Sequence, residues 1–231
     1  MGESMTPAGR NPMPAADSFT SRITRSCFSG SRTIPPLPTS PLPTSNCGLI
    51  RTIIFPPGFR ISTIAGNVAG NAGGGVATAG STELGWGSIA TSTISGNRAE
   101  RGGGIWLGHS AIVQASTISG NTATQTGFSD SGGGGIWALR SLTLSASTIT
   151  ANTAHQGPSG VLAYGSSALI GPHRTIIAGN ASIDCGAADG GTVQSSQHNL
   201  SGTGCPLDGA TDVTGDPLLG PLALNAPGNT A

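Results

Sequence analysis

Lysine is absent from this chain. All ten basic residues are arginine, they are matched by ten acidic residues, and the formal net charge is zero. No basic stripe is available to follow a nucleic-acid backbone or an anionic membrane, so nucleic acid is not expected as a partner. No run of about 18 apolar residues occurs, which argues against a membrane-spanning helix. The first residues, MGESMTPAGRNPMPAADSF, lack the apolar core of a secretory signal. The expectation is that the protein stays inside the cell or that this chain lacks its natural beginning.

Other absences narrow the chemistry. No Cys-x-x-Cys is present, and His173 and His198 show no ligand spacing, so zinc is not expected. The glycine run at 132–135 is not followed by Gly-Lys-Ser or Gly-Lys-Thr, which removes a phosphate-binding loop. The glycine runs lead into Ile or Val where a calcium-binding nonapeptide needs aspartate. His109 and His155 read as lone loop histidines. No cofactor and no metal are expected.

Glycine and proline, by contrast, are plentiful, with 38 and 16 copies in 231 residues. The prolines mark residues 1–60, where RTIPPLPTSPLPTSNCG reads as an extended, polyproline-like segment with no packed core. A misplaced start or incomplete gene would also account for it. Cys27 and Cys47 fall in this segment and support no inference.

Residues 61–231 form a second region, built on repetition. One phrase recurs as STIAGN, STISGN, STISGN, STITAN and TIIAGN, ending at Asn67, Asn97, Asn121, Asn152 and Asn180. The successive separations are 30, 24, 31 and 28 residues, so a unit is a few tens of residues long and tolerates insertions. A second landmark is a glycine run leading into an apolar pair: GGGVA, GGGIW, GGGIW and the degraded PSGVL. Between them lies a third apolar stretch, such as SAIVQAS or SLTLSAS.

Three short strands per unit follow. Helices fit badly, because glycine and β-branched residues dominate and no spacing of three and four is sustained. One such unit cannot bury its apolar side, whereas units stacked about 4.8 Å apart can. The expected fold is all-β, a parallel β-solenoid. Strand alternation predicts an inward ladder of Ile64, Ile94, Ile118, Ile149 and Ile177, and a second of Val76, Ile105, Ile136 and Val161. The closing asparagines are expected to take the left-handed backbone of a tight turn and to hydrogen-bond from rung to rung. Ala77, Trp106, Trp137 and Leu162 must then point outward. Trp106 and Trp137, on adjacent rungs, are predicted to form an aromatic platform for a sugar ring or a partner protein unless a loop or the proline-rich segment covers them.

These repeats, followed by DCGAADGGTVQSSQHNLSGTGCPLDGATDVTGDPLLGPLALN, resemble bacterial right-handed parallel β-helix proteins of the pectin-lyase-like superfold. More closely, they resemble large secreted or surface repeat proteins that end in a Cys-bracketed turn and a DPLLGPL segment. The likeness spans about residues 61–225. It implies an extracellular or cell-surface location and a disulfide between Cys185 and Cys205, two free thiols being the alternative. The chain departs from that pattern in lacking a signal peptide and in stopping at NAPGNTA, which leaves open a fragment of a longer surface protein.

The superfold also hosts polysaccharide lyases and glycosidases, so the carboxylates matter. Glu83, Glu100 and Asp130, with Arg98, Arg101, Arg140 and Arg174, fall at different points of their units. Asp184, Asp189, Asp208, Asp212 and Asp216 gather near the C-terminus; they read as turn residues, with calcium as the alternative. The expected function is an exported, non-enzymatic surface or adhesion-type protein binding glycans or surface proteins. A lyase or glycosidase rests on fold analogy alone.

Overall fold

A computed structural model describes residues 59–60, 63–78 and 87–222. The proline-rich segment up to residue 58, Cys27, Cys47, Glu83 and the last nine residues lie outside the described residues.

Every described element is a β-strand, and every strand pairing is parallel. The chain coils through about five turns. The first sheet holds the strands that follow the glycine runs, Val76–Thr78, Ile105–Leu107 and Ile136–Ala138, then Val161–Tyr164 after the degraded Pro-Ser-Gly, and ends on Cys185–Ala188, which no glycine run precedes. The middle apolar stretch forms a second sheet, including Gly87–Ala90, Ala111–Gln114, Leu142–Ser145 and Leu169–His173. The recurring phrase forms a third, including Thr63–Ala65, Thr93–Ser95, Thr117–Ser119 and Thr148–Thr150.

A fourth, three-stranded sheet was not expected: Arg98–Ala99, Thr122–Ala123 and Thr153–Ala154. Two residues are too few to show alternation. The backbone N–H of Arg98, Thr122 and Thr153 donates to the carbonyl of Asn67, Asn97 and Asn121 one rung back, each at 2.8 Å, and this aligns the short strands.

The interior follows the predicted ladders. Ile94, Ile118, Ile149, Ile177, Ile105, Ile136 and Val161 have no exposed surface, Val76 is buried and Ile64 packs at the edge. Registers carry each ladder residue onto the next, as in Ile94 on Ile118 and Ile105 on Ile136. Each fully buried Ile or Val stabilises by about 1.5–3 kcal/mol, so the energy that holds one rung lies mostly in its neighbours.

One turn expectation is corrected. The left-handed backbone lies one residue before each asparagine, at Gly66, Gly96, Gly120, Ala151 and Gly179. The asparagine itself does not take the left-handed backbone, and its amide reaches the next rung. At the preceding corner the left-handed residues are not glycine: Thr91, Ala115, Ala146 and Arg174 have φ of 49°, 46°, 47° and 50°. The next residue in each case, Ser92, Ser116, Ser147 or Thr175, turns its hydroxyl back onto the carbonyl two residues earlier and holds the corner.

Candidate functional site

The asparagines make a continuous, directional ladder. The amide Nδ2–H of Asn67 donates to Asn97 Oδ1 at 2.9 Å, Asn97 to Asn121 at 2.9 Å, Asn121 to Asn152 at 3.0 Å and Asn152 to Asn180 at 3.0 Å. Each backbone N–H donates to the same oxygen. The second amide hydrogen goes to an isoleucine carbonyl one rung back, as from Asn121 to Ile94 at 2.9 Å. Asn121 and Asn152 are fully buried and use both donors and the acceptor. The ladder ends on Asp184, whose buried carboxylate accepts from the Asn180 amide at 2.7 Å and from the Thr203 N–H at 2.5 Å.

A second ladder ends the same way. Ser92 N–H donates to Ser116 Oγ, Ser116 N–H to Ser147 Oγ, and Thr175 N–H to Asn199 Oδ1. Asn199 then donates to Asp212 Oδ1 from its backbone at 2.9 Å and its amide at 3.1 Å. Burial alone would raise the Asp212 carboxyl, but hydrogen bonds from Ser195, Asn199 and Gly209 outweigh it and hold the group below its ordinary 3.8. Asp184 and Asp212 therefore serve as acceptors that close the two ladders. Asp189, Asp208 and Asp216 are exposed. Among the described residues no three His, Cys, Asp or Glu converge as metal ligands.

Cys185 and Cys205 form a disulfide across a separation of 20 residues, beside Asp184. It ties the last strand of the first sheet to the turn beyond it, and a closed loop of that size contributes about 3 kcal/mol. His173 and His198 meet edge to face at 6.2 Å, with His173 Nδ1 engaged at 2.7 Å with the Ser196 carbonyl. Beyond the last rung, residues 216–222 return along the outer face of the third sheet, over Thr117, Ser119, Thr148 and Thr150. They leave a shallow groove of about 560 Å³.

The aromatic column stands on the outside of the first sheet. Trp106 and Trp137 occupy one register position and stack at 5.6 Å with planes 14° apart. Tyr164, on the next rung, stacks on the other face of Trp137 at 5.4 Å. The two tryptophans are thus not an open platform. Trp137 is only 3% exposed, because rings cover both its faces and its Nε1–H donates to the Asp130 carbonyl at 3.0 Å. Trp106 is half-buried. Tyr164 escaped the sequence reading, although it lies two residues beyond the outward Leu162 and so faces the same way.

Beside the column runs a polar file, also unforeseen. Arg101 donates from Nη1 to Asp130 Oδ2 at 2.6 Å and from Nη2 to Asn71 Oδ1 at 2.9 Å, linking three rungs. The segments carrying Asn71 and Arg101 are stacked, since the Arg101 N–H donates to the Asn71 carbonyl at 2.9 Å. The turn passes close to the ring bases: a Cβ on Gly102 would lie 3.1 Å from Trp106 Cα, and one on Gly133 2.8 Å from Trp137 Cβ. The signal available in the sequence was the insertion before the second GGGIW, which carries Asp130. Arg98, Arg140 and Arg174 and the carboxylate-bearing Glu100 are exposed and scattered.

No family model, curated protein or solved structure matches this chain.

Proposed function

We propose that this protein is an exported, non-enzymatic parallel β-helix module of the cell surface or extracellular space whose outer face binds glycans or protein partners. The observation that carries the reading is the outward Trp106–Trp137–Tyr164 column with Arg101 alongside. These rings add nothing to the inner ladders, and aromatic and arginine side chains are the residues that most often anchor contacts. The Cys185–Cys205 disulfide supports export, because such bonds persist in oxidising compartments. We assign the coil to the right-handed, pectin-lyase-like type on the repeat phrases and on the strong right-handed preference of parallel connections.

A lyase or glycosidase would need carboxylates free to act on a substrate. Asp130 is engaged by Arg101, Asp184 by Asn180 and Thr203, and Asp212 by Asn199 and Gly209, whereas Glu100, Asp189, Asp208 and Asp216 are exposed, so the enzymatic reading is left to the turnover test below. The deciding experiment probes a glycan array and immobilised cell-surface fractions with wild type and Trp106→Ala. Binding by wild type that falls about tenfold or more in the variant, with unchanged circular dichroism, is the expected result. Equal binding by both sinks the reading. So does the appearance of new reducing ends or unsaturated uronates when the folded protein is incubated with acidic and neutral polysaccharides.

A further inference from the structure

Three ladders of the coil end on one loop. Asp184 closes the asparagine ladder and accepts the Thr203 N–H at 2.5 Å. Asp212 closes the second polar ladder and accepts the Gly209 N–H at 2.9 Å. Cys185 stands on Val161, ends the inward ladder of the first sheet and is bonded to Cys205. All of these partners lie in residues 203–212, between the strands Leu200–Ser201 and Val213–Thr214 of the third sheet.

The loop's own grip on the coil is slight. Its residues are exposed or half-buried, and Cys205 is the one that packs against the buried cluster. The bonds from Leu207 N–H to the Cys205 carbonyl at 2.8 Å and from Asp212 N–H to the Gly209 carbonyl at 2.9 Å close small turns inside the loop and reach no rung. The strands on either side are two residues long. A segment that buries so little apolar surface opens at low cost unless something else holds it, and here the disulfide does. The rungs do not need that bond. A reduced Cys185 is a small apolar side chain that keeps its place on Val161, and each rung rests on its neighbours.

The two sulfurs differ in access. Cys185 has no exposed surface, whereas Cys205 is half-buried between exposed Gly204 and Pro206. A thiol arriving from solvent therefore meets Cys205 first. We propose that Cys185–Cys205 is a thiol-exchange site, attacked at Cys205, whose opening releases residues 203–212 from the end of the coil while the rungs stay folded. The reductant is a dithiol, either a small molecule or a pair of cysteines on another protein. One of its thiolates attacks Cys205 Sγ and forms a mixed disulfide, while Cys185 Sγ leaves with the electron pair of the broken S–S bond and takes up a proton. The second thiol of the reductant then attacks its own sulfur in the mixed disulfide and frees Cys205, which is protonated in turn. Two electrons and two protons pass to the protein, and the dithiol becomes a disulfide. The device sits at the C-terminal end of the coil and is independent of binding at the aromatic column.

The test uses the full, oxidised chain under native conditions. It is first incubated with glutathione, a monothiol, then quenched with acid and mapped by mass spectrometry, which also separates this pair from Cys27 and Cys47. The adduct is expected on Cys205. Hydrogen exchange is then followed residue by residue before and after reduction with dithiothreitol. The Asp184 N–H donates to the Thr203 carbonyl and the Thr203 N–H to the Asp184 carboxylate, so these two amides report the loop. They are expected to exchange about tenfold or more faster after reduction, with the Ile118 and Ile149 amides unchanged. Cys205→Ser leaves Cys185 in its ladder and is expected to show the pattern of the reduced chain with no reductant present.

An adduct on Cys185 overturns the assignment of the attacked sulfur. A bond that resists both reagents until urea unfolds the chain overturns the exchange site, and so does unchanged exchange of the loop amides after reduction. Loss of protection throughout the rungs, on reduction or in Cys205→Ser, makes the bond a condition of the whole fold and overturns the release.

Discussion

At the scale of the residue, the asparagines bear more than their size suggests. Replacing Asn121 by alanine removes the acceptor of two buried donors, the Asn97 backbone N–H and its amide. Each orphaned donor costs about 1–3 kcal/mol, so Asn121→Ala is expected to destabilise by about 2–5 kcal/mol. Asn67→Ala orphans no donor on Asn97, because Asn67 donates to that residue, and about 1 kcal/mol is expected there. Urea unfolding midpoints of the two variants check the difference.

Asp212 adds a pH dependence whose sign is set by its environment. Its folded pKa lies below 3.8, so the group binds protons more weakly folded than unfolded. Its contribution is complete above that ordinary value and is lost as pH falls through the depressed one. Melting temperature is expected to drop more steeply below pH 3.8 in wild type than in Asp212→Asn, and parallel curves would refute this.

At the scale of the element, the glycine-run turns and the corners after the third sheet make opposite demands. Gly134 is packed so closely on the Thr153 and Ser159 carbonyls that a Cβ has no room. Gly134→Ala is expected to cost about 3 kcal/mol or more, as overpacking against rigid backbone does. Ala151 sits at φ 54°, where the other rungs use glycine at the equivalent corner. Ala151→Gly relieves the left-handed strain and is expected to stabilise by up to about 1 kcal/mol. Thermal melts of the two variants should move in opposite directions.

The elements also show how far the sequence could be read. The inward ladders were legible because Ile94, Ile118 and Ile149 recur at one place in a repeated phrase, and alternation then dictates their side. Ile105 and Ile136 follow by the same rule. The placement of Trp106 outward was legible too, but not its surroundings. Whether a ring lies flat on a surface or on edge in a stack depends on side-chain rotamers, and these are set by neighbours such as Tyr164 and the Asp130 turn. The left-handed corner was misplaced by one residue because glycine and asparagine both suit that backbone, and only the hydrogen-bond partner of each amide separates them. Asp184 could not be foreseen as a ladder end, since its link to Asn180 comes from a turn and not from the repeat.

At the scale of the whole molecule, stability resides in contacts between rungs, so the rung is the unit of change. Duplicating residues 98–121 in tandem adds one complete 24-residue unit, with its inward residues and its asparagine. Such a chain is expected to fold with a urea midpoint at or above that of wild type. Duplicating half of that unit shifts every later ladder out of register, and loss of the β-sheet signal is expected.

The asparagine ladder also gives the molecule an electrical direction. Each amide from Asn67 to Asn152 points one N–H toward the C-terminal end, and each oxygen from Asn97 to Asn180 faces the N-terminal end to accept it, so the amide dipoles add, as peptide dipoles do along a helix. The positive end of this side-chain dipole meets the Asp184 carboxylate, where a negative charge belongs. The two ends of the coil are therefore inequivalent before any surface charge is counted. Copies that continue the ladder across a junction must share one polarity: a head can meet a tail, and two heads cannot.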